Sequence, residues 1–78
     1  PNPFNPTTMI SYSIPRAKKV KLTIYNIIGQ KLETLVDKKQ AAGEYQVMWD
    51  SAEFPSGVYF YQLKTENFSQ KKKMILLK

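Results

Sequence analysis

Val20-Lys21-Leu22-Thr23-Ile24-Tyr25-Asn26-Ile27-Ile28-Gly29-Gln30-Lys31-Leu32 can be read in two ways, and the choice between them decides the fold. Ile24, Ile28, Leu32 and Leu35 are spaced to share one face of a helix. Against that, Val20, Leu22 and Ile24 alternate with Lys21 and Thr23, the period of a half-buried strand. Asn26-Ile27-Ile28-Gly29 then reads as a turn, with Gly29 supplying a positive φ. The second reading is adopted: a hairpin whose return strand runs from Leu32 to Val36.

The same two-residue period recurs on both sides of this hairpin. Ile10, Tyr12 and Ile14 alternate with Ser11 and Ser13, and the run stops at Pro15. Tyr45, Val47 and Trp49 alternate with Gln46 and Met48. From Val58 to Leu63 both faces are apolar, which marks a strand that is central or that packs against something on its second side. Met74-Ile75-Leu76-Leu77 is a short last strand, apolar on both faces, with Lys71 to Lys73 as its solvated lead-in. Asp37 to Gln40 and Asp50 to Ser56 read as connections, with Asp50 capping its turn. Thr65-Glu66-Asn67 is the last turn, with Asn67 a residue that tolerates a left-handed conformation. Gly29, Gly43 and Gly57 each precede a strand at equal 14-residue spacing. That interval is too short for a solenoid repeat and suits turn plus strand in an antiparallel meander. Six or seven short strands in 78 residues imply an all-β sandwich or small barrel.

At 78 residues the chain is expected to form one domain, 1–78, with a small core. Hydrophobic residues make up 42%, which is a globular composition. Trp49, the largest side chain, is the natural centre of that core. The opening Pro1-Asn2-Pro3-Phe4-Asn5-Pro6 is read as a rigid extended lead-in with Phe4 as its apolar anchor. The chain begins at Pro1, with no basic-then-apolar leader and no apolar run of membrane-spanning length. The expectation is a fragment of a longer protein, without a signal peptide or transmembrane segment of its own.

The residue types that carry chemistry are sparse. There is no His and no Cys, so the commonest general base, the commonest zinc ligand and a thiolate nucleophile are all missing. The six carboxylates form no pair marked for a cleft, and three separated glycines cannot cradle a phosphate. No cofactor, metal or enzyme activity is expected. The net charge of +6 admits nucleic acid, an anionic surface or an acidic partner. Most aromatics fall on apolar strand faces, so nucleic-acid stacking is set aside in favour of a core role.

The charge is concentrated. After Glu66 the chain has no acidic residue, and Lys71, Lys72, Lys73, Met74, Ile75, Leu76, Leu77 and Lys78 close it. A receptor could pair with the backbone of such a strand and with its lysines, so these eight residues are the candidate partner-recognition set.

One ordered set of motifs spans the whole chain: Pro1-Asn2-Pro3-Phe4-Asn5, Ile24-Tyr25-Asn26 with Gly29-Gln30, Ala42-Gly43-Glu44-Tyr45, Trp49-Asp50, Pro55-Ser56-Gly57-Val58-Tyr59, and Lys72 to Lys78. Together they resemble the C-terminal sorting domain of the type IX (Por) secretion system of Bacteroidetes-like bacteria. They are equally similar to the related immunoglobulin-like domain of the flagellar hook-capping protein. Asp50-Ser51 stands where Asp-Gly is frequent, and Met48 where a polar residue is common.

The resemblance implies an immunoglobulin-like antiparallel β-sandwich of about seven strands, ending an exported protein. It implies an outer-membrane translocon as reader, a sortase-like signal peptidase, and a covalently linked N-terminal passenger. The passenger would transit the periplasm and reach the cell surface or the medium. Lys71 to Lys78 match the family's terminal basic-apolar motif. Pro3, Phe4, Asn5, Gly29, Gly43, Trp49, Gly57 and Tyr59 match its fold motifs. A structural or assembly spacer, as in a hook-capping protein, is the alternative.

Overall fold

The structure is a computed structural model, and residues 7–78 are described. Pro3, Phe4 and Asn5 lie outside the described residues. The chain is all-β and antiparallel, with strands β1 (Thr7–Ile14), β2 (Lys18–Asn26), β3 (Lys31–Gln40), β4 (Gly43–Asp50), β5 (Gly57–Thr65) and β6 (Phe68–Leu76). Among the described residues there are thus six strands rather than seven. They form a two-stranded sheet, β1-β4, and a four-stranded sheet, β3-β2-β5-β6.

The decisive stretch is a hairpin and not a helix. Asn26 fixes the turn. Its carbonyl accepts from the Gly29 N–H at 3.0 Å, and its N–H donates to the Gln30 carbonyl at 3.0 Å. Its side-chain oxygen accepts from the backbone N–H groups of Ile28 and Gln30 at 3.1 and 2.9 Å. Gly29, at φ 85, takes the left-handed position that closes this kind of turn.

The helical spacing has a different cause. The β2–β3 register shifts between Leu22 and Thr23 and again between Ile24 and Tyr25, skipping Leu35 and Leu32 on β3. Each extra residue flips the parity of the strand beyond it. Two leucines three apart, which a plain strand would place on opposite faces, therefore both pack against the core. The return strand also runs past Val36 to Gln40, so Asp37 to Gln40 are strand and not connection.

Both sheets share one buried cluster. Ile10, Ile14 and Trp49 come from the smaller sheet, and Val20, Leu22, Ile24, Val36, Tyr59, Leu63 and Leu76 from the larger. The Trp49 ring is fully buried, with Phe54 and Tyr59 each at 5.4 Å between centroids. Its indole N–H donates to Glu33 Oε1 at 3.3 Å. Glu33 pairs with buried Ile24 because the Leu35 bulge has rotated the strand. Tyr12, stacked on Tyr45, makes a second tie between the sheets by donating to Gln40 Oε1 at 2.8 Å. Burial raises the Tyr12 phenol pKa above its ordinary value, so at neutral pH the hydroxyl stays a donor.

Two segments share a local device that strand periodicity alone does not reveal. In Ala41-Ala42-Gly43-Glu44-Tyr45 the phenol of Tyr45 donates to the Ala41 carbonyl at 2.6 Å. In Pro55-Ser56-Gly57-Val58-Tyr59 the phenol of Tyr59 donates to the Pro55 carbonyl, also at 2.6 Å. Each tyrosine reaches four residues back over a glycine, and Gly57 sits at φ 153, which side-chain-bearing residues avoid. The same clamp thus stands at both Gly43 and Gly57.

Trp49→Ala is expected to cost about 3–5 kcal/mol in a denaturant melt; a loss near zero contradicts the central packing of the indole. At Gly57 an added Cβ would meet nothing within 4 Å, so any penalty comes from the backbone alone. Gly57→Val should cost about 1–3 kcal/mol, and an unchanged melt argues against the positive φ. Tyr59→Phe keeps the ring and removes the clamp, with about 1 kcal/mol lost by the same measurement.

Candidate partner-recognition edge

Strand β6 is last in the order β3-β2-β5-β6, and β5 is its only neighbour among the described residues. It runs from Phe68 to Leu76, so the lysine triplet lies inside the strand and is not its lead-in. Thr65 pairs with Phe68, which leaves Glu66-Asn67 as the loop of a tight hairpin. No residue other than glycine has a positive φ among the described residues, so Asn67 is not left-handed.

The register divides the candidate residues by face. Lys72 pairs with Tyr61, Met74 with Tyr59 and Leu76 with Gly57, placing all three on the core side. Leu76 is buried, Met74 is half-buried against the core, and Lys72 is exposed. Lys71 pairs with Gln62, Lys73 with Phe60 and Ile75 with Val58, on the outer side. The Lys71 ammonium lies 5.0 Å from the centroid of the Tyr25 ring, a cation–π contact reaching over β5 to β2. A hydrogen-bonded row braces it: the Tyr25 hydroxyl donates to Gln62 Oε1 at 3.1 Å, and the Gln62 amide donates to Ser69 Oγ at 2.9 Å. Among the described residues the only ion pair at salt-bridge distance is Lys19–Asp37, 3.8 Å, exposed and worth little. The three lysines of the edge therefore have no carboxylate against them there.

The end of the chain is tied back. The Lys78 N–H donates to Ser56 Oγ at 3.0 Å, and its ammonium donates to the Ala52 carbonyl at 2.7 Å. These contacts join the terminus to the β4–β5 loop, whose start Asp50 caps by accepting from the Ala52 N–H at 3.1 Å. Leu77 projects outward. Lys78 is thus engaged within the fold, whereas Lys71, Lys72, Lys73, Ile75 and Leu77 face solvent.

Two exposed residues escaped the sequence reading. Ile27 and Ile28 occupy the tip of the β2–β3 turn at 69% and 75% exposure. The signal was present: β-branched aliphatic residues stand where a tight turn favours small or polar ones. The hairpin register of Asn26 with Tyr59, and of Tyr59 with Met74, puts this tip at the same end of the sheet as Ile75.

Elsewhere the surface is shallow. A groove of about 400 Å³ runs between Ile14, Pro15, Leu63 and Phe68. Among the described residues no group of three or more His, Cys, Asp or Glu side chains could hold a metal ion. No helix among them is long and apolar enough to cross a membrane.

With this geometry in view, comparison with known proteins gives one result. The family model of the secretion system C-terminal sorting domain matches residues 1–77. The chain belongs to that family. No curated protein and no solved structure matches it. As a sorting domain of the type IX (Por) pathway, it implies a passenger protein, the machinery of that pathway, and export to the cell surface or the medium.

Proposed function

We propose that the chain is a non-enzymatic signal, covalently attached at the C-terminal end of a passenger, that directs the passenger across the outer membrane by the type IX system. The translocon reads the folded module and its basic edge after the passenger has reached the periplasm. A sortase-like signal peptidase then acts on it. The observation that carries this reading is family membership over residues 1–77 combined with an exposed lysine triplet on an edge strand. We read the two sheets as an immunoglobulin-like sandwich. A central buried Trp and tyrosine hydroxyls reaching back to upstream backbone, both features of such sandwiches, support this.

A reporter with an export leader at its N-terminus and this chain at its C-terminus should reach the surface or medium of a host that has the pathway. Deleting Met74 to Lys78 should abolish this. Because Leu76 is a core residue, the deletion also loosens the fold, so it is paired with a test of folding by circular dichroism. Retention of the intact, folded fusion in the periplasm of a competent host would sink the reading. Efficient export in that host also separates sorting from a spacer role, which predicts none.

A further inference from the structure

We propose that the free edge of β6 accepts one extended strand from a partner protein, acidic beside Lys71 to Lys73 and apolar beside Met74 to Leu76, and rejects a second copy of itself. This rests on the sorting reading only in naming the partner's chemistry at the same site.

An edge strand presents a row of unpaired N–H and C=O groups, the template for adding a strand. The nine residues of β6 present such a row away from β5 among the described residues. Side chains alternate between faces, so three consecutive lysines place charge on both: Lys71 and Lys73 outside, Lys72 on the core side. A strand laid beside them meets cations at successive positions. It matches them best with consecutive acids, whereas an ordinary amphipathic strand supplies acids only at alternate positions.

The same triplet excludes self-pairing. Phe68 to Leu76 has its midpoint at Lys72. The antiparallel register that overlaps the full strand pairs Lys72 with Lys72 and Lys71 with Lys73 twice. Like charges directly opposite one another are destabilising, and any shifted register gives up ladder hydrogen bonds. Lysines on an edge are a known guard against aggregation. A guard alone accounts for the charge but not for its neighbours. Ile75 and Leu77, 65% and 74% exposed, follow the triplet along the same segment of chain. An apolar row beside a cationic one defines polarity along the edge, and that suits a partner strand with an acidic half and an apolar half.

The test is a titration of the 78-residue chain with a labelled synthetic peptide of consecutive glutamates followed by alternating valine and threonine, read by fluorescence anisotropy. A second peptide has the same charge and a central proline, which cannot complete a ladder. The expected result is binding of the first peptide, weakened by salt, and little binding of the second. Combined Lys71→Thr, Lys72→Thr and Lys73→Thr should weaken binding about tenfold or more. The same variant should self-associate in sedimentation, because threonine keeps the strand and removes the repulsion. Equal binding of the proline peptide means diffuse electrostatics and overturns the proposal. No binding by a folded chain means the lysines only guard the edge, and overturns it too. Normal export of a fusion bearing the triple variant defeats this inference and the part given to the basic edge, and leaves standing sorting by the folded module, which rests on family membership. Failure of the wild-type fusion to leave the periplasm defeats sorting, while the titration still decides strand acceptance.

Discussion

The indole of Trp49 is held between two sheets of unequal size, and most of the architecture follows from keeping it there. In a chain of 78 residues without disulfides, a single large aromatic must supply much of the buried area. Its ring contacts, Phe54 and Tyr59, come from the β4–β5 loop and from β5. Its one polar atom finds Glu33 on the far edge strand of the larger sheet. That hydrogen bond needs the bulge at Leu35, since an unbulged β3 would turn Glu33 to the opposite face. The bulge, the indole and the clamp on Tyr59 are therefore one mechanical unit.

The unit also sets what is left open. The smaller sheet has two strands and the larger four, so β6 is anchored to β5 and to the core chiefly through Leu76 and Met74. Among the described residues nothing covers the edge of β6 away from β5, and Lys71 and Lys73 on its outer side and Lys72 on its core side are all exposed. The terminus then folds back onto Ser56 and Ala52, the loop that Trp49 and Phe54 stabilise from below. Core and lysine-bearing edge are thus connected through the β4–β5 loop, and disturbing that loop would be felt at both.

Much of this was legible in the residues themselves. Alternation at Ile10 to Ile14 and Tyr45 to Trp49 gave those strands because one face of each is packed and one is wet; Val20 to Ile24 also alternates, although Thr23 on its second face is buried as well. The two-sided apolarity of Val58 to Leu63 admitted a central position, and β5 lies between β2 and β6. Asn26 and Gly29 gave the turn, because a short amide side chain and a missing Cβ solve a local backbone problem. The cationic character of the terminal edge needed only the order of Lys71, Lys72 and Lys73.

Other features depended on neighbours distant in the chain. Whether Leu32 and Leu35 mark a helix or a bulged strand was settled by the partner strand, whose register absorbs the extra residues. The length of β6 was set by β5, which pairs with it from Thr65 to Gly57 and draws the lysines into the ladder despite their low strand preference. The fate of Lys78, bonded to Ala52 rather than free, follows from a loop 26 residues earlier in the sequence. Local spacing determines which face of a strand is apolar, because the two-residue period is a property of the backbone. Register, bulges and open edges are pairwise properties of strands, and only the assembled sheet decides them.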